Sequence, residues 1–360
     1  MQLNDMTALV TGGGRGIGQG IALALAEAGA DVAIADLDIA IARETASKVE
    51  SLGQKSLALK VDVADVDSVN QLVDEVTAAF GHLDIAINNA GIISIKSVSE
   101  LSAVDWDRVM AVNAKGVFLC TQAELRVMRP RRFGRIINVA SIAGKVGFPD
   151  LSHYSASKFA VIGFTNAVAK EVATEGVTVN AICPGIVGTG MWRGDEGLSG
   201  RWRQEEESEE ASWERHQKTL LPQGVAQTPE DMGQLAVYLA SAAHVTGQAI
   251  AVDGGFVSIV ETAVENHKFN VVDLTWSLRQ PTVWVMLFGG IFANITTYGT
   301  DQTMVQRYLT TKSERAAKQS VWTNAILTIP ATLIFFFVGT ALFVFYKSFP
   351  AELNPTFENN

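Results

Sequence analysis

The first 260 residues predict an α/β fold in which a parallel sheet carries helices on both faces. Short apolar runs alternate with longer amphipathic stretches, the pattern of buried parallel strands joined by helices. A glycine-rich turn joins the first apolar run to an alanine-rich stretch, which is typical of a phosphate-binding strand–turn–helix unit. From about Thr282 the alternation gives way to two long apolar runs, so two domains are predicted, residues 1–260 and 261–360.

Composition narrows the classes of partner. The 360-residue chain has a formal net charge of −10, which disfavours nucleic acid as a partner. Its two cysteines, Cys120 and Cys183, lie in apolar contexts, and its five histidines are scattered, so no disulfide framework and no metal site are predicted. No signal peptide is expected, because the first predicted strand begins within a few residues of Met1.

The glycine turn is a candidate phosphate site. The strand Thr7–Val10 leads into the turn Thr11–Gly18 and then into a helix that extends to about Ala28. Glycines let the backbone approach a pyrophosphate, whose charge is favoured by the free N–H groups and the dipole of the helix start. A flexible loop is the alternative, but the order strand, turn, helix favours the phosphate site.

The second strand, Asp31–Ala35, ends at Asp36, about 20 positions beyond the glycines. A carboxylate there can accept hydrogen bonds from a ribose diol and would repel a 2′-phosphate. Arg15 in the glycine turn could oppose that preference by pairing with a phosphate. NAD is therefore the predicted cofactor, with NADP the less favoured alternative.

The next two strands also end in residues suited to a ligand. Leu57–Val61 is followed by Asp62, and Asp65 is the predicted N-cap of a helix that extends to Phe80. Ile85–Ile87 is followed by Asn88-Asn89-Ala90-Gly91, where small and amide residues let the backbone approach a bound molecule.

A long helix is predicted from Ser102 to Met128, and it contains Asn113 in an apolar setting. A buried amide needs hydrogen-bond partners. Asn113 is thus either a structural hydrogen-bonding group or a site residue.

Tyr154 and Lys158 carry the chemistry most directly. They are four residues apart, so on a helix they share one face about one turn apart. An ammonium beside a phenol favours the phenolate, so the pair is predicted to move a proton to or from a substrate hydroxyl or ketone near neutral pH. Ser141 follows the apolar strand Arg135–Ala140, where its hydroxyl could hold a substrate oxygen. Alone, Tyr-x-x-x-Lys is most often a surface pair, so the neighbouring motifs decide its meaning.

Taken together, these motifs make residues 1 to about 257 similar to the short-chain dehydrogenase/reductase family. The resemblance is carried, in the family's order and spacing, by Thr11–Gly18, by Asn88–Gly91, by the four residues Asn113, Ser141, Tyr154 and Lys158, and by Pro184-Gly185 with Thr189. It implies a Rossmann-type, doubly wound parallel sheet of about seven strands. It also implies a homo-oligomer that uses NAD(P) to interconvert a secondary alcohol and a ketone by hydride transfer.

The resemblance implies a role for each catalytic residue. Tyr154 would be the general acid/base, and Lys158 would lower its pKa and hold the nicotinamide ribose. Ser141 would orient the substrate oxygen, and Asn113 would hold a water that relays protons from Lys158 to solvent.

The implied cofactor site is larger. Asp62 and Val63 would flank the adenine, and Val187 and Thr189 would hold the carboxamide. The full implied set is Gly12, Arg15, Gly16, Ile17, Gly18, Asp36, Leu37, Asp62, Val63, Asn89, Ala90, Gly91, Tyr154, Lys158, Pro184, Gly185, Val187 and Thr189.

The segment from Gly190 to about Pro222 is a predicted lid over the substrate. Its three tryptophans indicate a cover for an apolar or sugar-like face, and a solvated charged helix with packing tryptophans is the alternative. Four residues are expected at the pocket mouth: Ile142, Val146, Phe148 and His153. The substrate stays open among polyols, small diols, sugars and 3-oxoacyl thioesters.

The C-terminal part predicts a two-helix transmembrane segment. Residues 283–299 and 321–346 contain no charged residue and are near the length that crosses a ~30 Å hydrocarbon core. Trp and Tyr lie near their ends, as in an aromatic belt, and a buried helix pair is the alternative. Gly289-Gly290, Tyr298–Gln302 and Val305–Leu309 give this part a resemblance to a fragment of a sodium:solute symporter.

The two parts are predicted to be a fusion. The basic loop between the spans argues for a cytoplasmic loop, whereas the dehydrogenase domain is itself expected in the cytoplasm, and one hairpin cannot satisfy both. A membrane-associated enzyme is the prediction, or a cytoplasmic one if the segment is not inserted. The alternative function is a membrane transport component whose N-terminal domain only binds nucleotide.

Overall fold

In the computed structural model, which describes residues 2–257, the apolar runs form a parallel sheet. Its strands are β1 (Thr7–Thr11), β2 (Asp31–Asp36), β3 (Ser56–Lys60), β4 (Ile85–Asn88), β5 (Gly134–Val139), β6 (Val177–Pro184) and β7 (Ala249–Val252). They lie in the order β3-β2-β1-β4-β5-β6-β7, and every neighbouring pair is parallel. The predicted Rossmann-type sheet of seven strands is confirmed. The order reverses between β1 and β4, the place where such sheets open a ligand crevice.

Helices connect the strands. They are α1 (Gly16–Glu27), α2 (Ile39–Ser51), α3 (Val66–Phe80), α4 (Ala103–Met110), α5 (Gly116–Met128), α6 (Ser152–Glu171), α7 (Leu198–Arg201), α8 (Glu209–Leu220) and α9 (Pro229–Ser241). The predicted helix start at Asp65 is confirmed, because its side chain accepts a hydrogen bond from Ser68 N at 2.7 Å. At the start of α9, Thr228 forms a capping box with Asp231.

Alternate side chains of β1 enter two hydrophobic cores, one on each face of the sheet. Val10 packs on one face in a cluster with Ile21 of α1 and Met232 of α9. Leu9 packs on the other face in a cluster with Val69 of α3. Both faces are covered, which explains why the strands are nearly continuous apolar runs.

The predicted helical stretch from Ser102 to Met128 is confirmed, but its middle is not α-helical. Helix α4 ends at Met110, residues Ala111–Lys115 form a turn of π-helix, and α5 begins at Gly116. A π turn holds an extra residue and shifts the helical phase, which apolar periodicity does not reveal. Asn113, in the centre of this turn, is fully buried.

The predicted second domain, residues 261–360, lies outside the described residues. The two predicted membrane spans, 283–299 and 321–346, and the resemblance to a sodium:solute symporter fall within it and stay predictions. Among residues 2–257, none of the helices has the length and apolar character that a membrane crossing requires.

A buried polar cluster lies at the ends of β4 and β5. Asn88 Nδ2 donates to Thr121 Oγ1 at 3.3 Å, to Glu124 Oε2 at 3.1 Å and to Asn138 Oδ1 at 3.0 Å. Burial raises the pKa of Glu124 to about 8, so this carboxyl carries a proton at neutral pH. That proton is a hydrogen-bond donor in a cluster where Asn88 Oδ1 and Glu124 Oε1 otherwise have no partner.

The buried acid makes stability depend on pH. The folded chain keeps a proton on Glu124 that the unfolded chain releases, so this residue should lower the free energy of unfolding as the pH rises from about 5 to about 8. Glu124→Gln keeps the shape and neutrality of the group without a titrating proton. We expect the variant to gain stability relative to the parent chain as the pH rises, measured by urea denaturation across that range.

The control for this measurement is Glu75→Gln, because Glu75 is an exposed carboxylate on α3. Its stability relative to the parent should hardly vary with pH. If the free energy of unfolding varied with pH in the same way for Glu124→Gln and the parent chain, Glu124 would not be a buried neutral carboxyl.

Candidate active site

A cleft opens at the carboxyl edge of the sheet, next to the reversal between β1 and β4. Many of the predicted site residues line it: Ile17, Asn89, Gly91, Ser141, Tyr154, Lys158, Pro184, Gly185, Val187 and Thr189. Other predicted residues lie outside its wall: Gly12, Arg15, Gly16, Gly18, Asp36, Leu37, Asp62, Val63, Ala90 and Asn113. The first set belongs to the catalytic and nicotinamide part of the prediction, and most of the second set to the pyrophosphate and adenosine part.

The glycine turn has a backbone that other residues would not adopt easily. Gly12 has φ +62° and Gly16 has φ +56°, in the left-handed region. A Cβ on Gly18 would lie 2.2 Å from the Gly12 carbonyl oxygen, so the first turn of α1 packs directly on the loop. Asn89 Nδ2 clamps the same loop by donating to Thr11 O at 3.0 Å and Gly12 O at 2.9 Å. This cradle, from which side chains are excluded, fits a dinucleotide pyrophosphate.

Gly18→Ala tests the cradle. The added methyl group collides with the Gly12 carbonyl, so we expect the loop to open and the affinity for NADH or NADPH to fall at least about tenfold. The measurement is nicotinamide fluorescence titration of the full-length protein. Gly163→Ala on α6 is the matched control, because a Cβ there meets nothing within 4 Å. A folded Gly18→Ala protein that binds the dinucleotide normally would disprove this account of the turn.

Asp36 lies where a ribose diol is expected. Its Oδ2 accepts a hydrogen bond from Gly14 N at 3.1 Å, and its Oδ1 accepts one from Asp38 N at 3.2 Å. The carboxylate is thus fixed against the glycine turn and keeps further lone pairs for a ligand. Leu37 is 64% exposed, and Arg15 is exposed with no ion pair to any residue in 2–257.

Asp62 and Val63 follow β3 and border the same end of the sheet. Asp62 Oδ1 accepts a hydrogen bond from Ala64 N at 2.9 Å, and Asp62 N donates to Ser68 Oγ at 3.0 Å. Val63 is buried against Gly116, where an added Cβ would lie 2.9 Å from a Val63 methyl. Gly116 thus lets the start of α5 approach the loop after β3.

Ser141, Tyr154 and Lys158 meet in the cleft as predicted. Ser141 follows β5, and the other two lie one turn apart on α6. The Tyr154 hydroxyl contacts Met191 Sδ at 3.9 Å, and the Ser141 side chain acts to lower its pKa. Lys158 Nζ donates to Val139 O at 2.8 Å and lies 5.7 Å from the centre of the Tyr154 ring.

The pKa values of this pair differ from the sequence-based prediction. Burial raises the pKa of Tyr154 to about 12, and the polar Ser141 side chain offsets part of that rise. Burial also lowers the pKa of Lys158 to about 8. Desolvation therefore outweighs the lowering of the phenol pKa that the sequence predicts, and the Lys158 ammonium is itself bound to the Val139 carbonyl.

Asn113 joins the loop after β4 to α6. Its Oδ1 accepts from Ile92 N at 2.8 Å, and its Nδ2 donates to Ile92 O at 2.9 Å and to Ser157 Oγ at 3.1 Å. A Cβ on Gly91 would lie 3.4 Å from Asn113 Oδ1 and 3.5 Å from Lys158 Nζ. The π turn therefore places a hydrogen-bonded amide near Lys158.

The apolar end of the cleft contains residues that no sequence motif marks. Ile93 and Leu151 are outside every predicted site segment, whereas Met191 and Leu198 belong to the predicted lid without having been singled out. Ile142 and Phe148 line the cleft as predicted, whereas Val146 and His153 do not. His153 is fully buried, with Nε2 2.5 Å from Ser94 Oγ, and burial lowers its pKa.

Comparison with known proteins agrees with this geometry. Residues 6–196 match the family model of the short chain dehydrogenases. The chain is 37% identical over 259 residues to 3-oxoacyl-[acyl-carrier-protein] reductase of Synechocystis sp., covering 71% of this chain and 98% of that protein. It is 40% identical over 223 residues to L-2,3-butanediol dehydrogenase of Corynebacterium glutamicum, covering 60% of this chain and 84% of that protein. The crystal structure of levodione reductase superposes on this chain with a TM-score of 0.66 at 29% sequence identity, covering 71% of this chain and 98% of that one.

The chain therefore belongs to the short-chain dehydrogenase family. It is an oxidoreductase of the NAD(P)-using kind that acts on CH–OH groups. The three relatives are named for different substrates, so family membership alone does not select one. Neither the family match nor these relatives support the symporter fragment or the alternative of a transport component.

Proposed function

We propose that this chain is an NAD-dependent oxidoreductase that interconverts a secondary alcohol and a ketone, with Tyr154 as the general acid/base. The observation that carries the proposal is the meeting of the Ser141 and Tyr154 hydroxyls beside the buried Lys158 ammonium, on the wall of a cleft that adjoins the glycine turn. A bound nicotinamide dinucleotide supplies or accepts the hydride at the substrate carbon.

The two hydroxyls divide the work on the substrate oxygen. Ser141 Oγ accepts a hydrogen bond from Ala143 N at 3.1 Å, so its own proton is available to the substrate oxygen and orients it. In reduction, the Tyr154 phenol donates its proton to the oxygen as negative charge develops there. In oxidation, the phenolate accepts the proton from the substrate hydroxyl.

Lys158 makes the phenolate accessible during that transfer. Its ammonium lies 5.7 Å from the centre of the Tyr154 ring, in a buried site where charge interactions are stronger than in water. Gly91 lines the cleft, is exposed and has no side chain, and a Cβ on it would lie 3.4 Å from Asn113 Oδ1 and 3.5 Å from Lys158 Nζ. We assign the relay of protons from Lys158 to solvent to the backbone around Gly91, with Asn113 as the residue that positions it.

The full proposed site comprises the catalytic four, Asn113, Ser141, Tyr154 and Lys158, and the cofactor residues predicted from the sequence. The cradle of Gly12, Gly16 and Gly18 would hold the pyrophosphate, and Asp36 the adenosine ribose. The proposal includes a homo-oligomer, supported by the exposed apolar side chains Phe118 and Phe159.

The preference for NAD over NADP rests on Asp36. Asp36→Ser removes the charge that would repel a 2′-phosphate, so we expect the ratio of NADPH to NADH affinity to rise at least about tenfold. Asp38→Ser is the matched control, because it removes a charge two residues away and keeps an oxygen for the cap of α2. Both ratios come from nicotinamide fluorescence titration. Tighter binding of NADPH than of NADH by the parent chain would overturn the assignment and favour Arg15 as the selector.

The proton-transfer role rests on the Tyr154 hydroxyl. Tyr154→Phe deletes that oxygen and keeps the ring, so we expect turnover to fall by about 10³-fold or more while dinucleotide affinity stays within about threefold. The oxidation rate of the parent enzyme should rise with pH, because the fraction of Tyr154 present as phenolate increases as the pH approaches its raised pKa. The variant should lack that rise.

Tyr238→Phe is the control for this experiment, since Tyr238 is a half-exposed tyrosine on α9 that does not line the cleft. It should retain full turnover. Substantial turnover by Tyr154→Phe would remove Tyr154 from the proposed mechanism.

A further inference from the structure

We propose that the substrate is an uncharged ketone or secondary alcohol that carries a compact apolar ring, alicyclic or aromatic, and that Trp192 and Trp202 of the lid select it. The inference rests on the proposed function and narrows it. It depends on three features of the described chain: the lining of the cleft, the pairing of the lid's charges and the packing of its tryptophans.

The lining of the substrate end is apolar. Beyond Ser141 and Tyr154 it consists of Ile93, Phe148, Leu151, Met191 and Leu198, together with Trp192 and Trp202. Among the described residues that line the cleft, Lys158 is the sole charged one, and its ammonium is bound to Val139 O. A sugar or polyol would bring several hydroxyls into this lining, and each hydroxyl left without a hydrogen-bond partner would weaken binding.

The arginines of the lid are neutralised within the lid. Arg193 binds Glu209 through Nε at 3.0 Å and Nη2 at 3.3 Å, and it also pairs with Glu210. Arg215 binds Glu207 at 2.9 Å and 2.8 Å. The remaining two pairs are Arg201 with Glu196 and Arg203 with Asp195. These guanidinium groups already have carboxylate partners, so the lid is poorly suited to a substrate carboxylate or to the phosphates of a carrier-bound thioester.

The tryptophans form a fixed wall. Trp192 packs edge-to-face on Trp202, with centroids 6.0 Å apart and planes at 79°, and on Trp213 at 6.2 Å and 60°. Trp213 is buried behind them, 7% exposed, and His216 contacts both front tryptophans at about 6 Å. Trp192 and Trp202 thus offer aromatic surface to the cleft, against which a ring can pack.

Hydrogen bonds hold this wall from outside. Glu209 accepts from Gly194 N at 3.1 Å and from Ser199 Oγ, and that hydroxyl also bonds to Trp192 O. Arg215 Nη2 donates to Trp202 O at 3.0 Å. The backbone of both tryptophans is therefore fixed by the lid itself. A preformed wall favours a rigid ligand, because neither partner has to lose much conformational freedom on binding.

The first experiment compares ketones of four classes on the full-length protein with its preferred dinucleotide. The panel is an aryl or cyclohexyl methyl ketone, acetoin, fructose and an acetoacetyl thioester. We expect kcat/KM for the ring ketone to exceed each of the others by at least about thirtyfold, since burial of a ring against the wall is the main source of binding free energy. A preference for fructose, acetoin or the thioester would overturn the inference.

The second experiment removes the wall. Trp202→Ala should lower kcat/KM for the ring ketone at least about tenfold and leave the value for acetoin within about threefold, because acetoin is too small to pack on the ring. Trp202→Phe, which keeps an aromatic face, should retain most of the activity on the ring ketone. Tyr238→Ala, an aromatic deletion outside the cleft, should leave both values unchanged.

The outcomes of these experiments distinguish failure of the substrate assignment from failure of the proposed function. An equal loss on both substrates in Trp202→Ala would make Trp202 a support of the lid and overturn its role in selection. If the enzyme instead turned over another substrate class, and Tyr154→Phe lost that turnover, the assignment of a ring-bearing substrate would be overturned and the proposed reaction would stand. Tight dinucleotide binding without turnover of any ketone or alcohol would overturn both.

Discussion

The hydrogen bond from Lys158 Nζ to the carbonyl oxygen of Val139 fixes the geometry on which the candidate active site depends. A buried ammonium needs a partner, and the last residue of β5 provides it at 2.8 Å. This bond draws α6 onto the carboxyl end of the sheet. Ser141 is two residues beyond Val139, and Tyr154 is one helical turn before Lys158, so the same bond sets the separation of the two hydroxyls.

A second contact region links this catalytic half to the glycine turn. Asn89 follows β4 and binds the carbonyl groups of Thr11 and Gly12 after β1. Asn113, in the π turn, binds both backbone groups of Ile92 and reaches Ser157 on α6. The loop after β4 is thus held on one side by the glycine turn and on the other by α6, which keeps the two parts of the candidate site in register.

Much of the fold was predictable because burial on both faces of a parallel sheet forces apolar runs, and the predicted strand ends differ from the observed ones by about one residue. The catalytic and glycine motifs were predictable because their chemistry requires particular side chains at particular spacings. The π turn at Asn113 was not, since a shift of helical phase leaves no compositional mark. The buried Glu124 was also missed, because a carboxylate on a helix is normally exposed.

The raised pKa of Tyr154 shows a different limit of sequence reasoning. Spacing gives the distance between an ammonium and a phenol along a helix, but the solvation of both groups depends on residues far away in the chain. The lining of the apolar end of the cleft could not be predicted for a similar reason. Ile93, Leu151 and Leu198 come from three separate segments, and they become neighbours only when the lid packs against the sheet.

The lid separates two tasks that many binding loops combine. Its outer face holds its shape through ion pairs such as Arg215 with Glu207, and its inner face lines the cleft with aromatic and aliphatic side chains. Residues on the inner face can change without disturbing the charges that maintain the lid. Such an arrangement makes the enzyme evolvable: drift at a few apolar positions would alter the range of accepted substrates while the catalytic residues and the loop framework stay as they are.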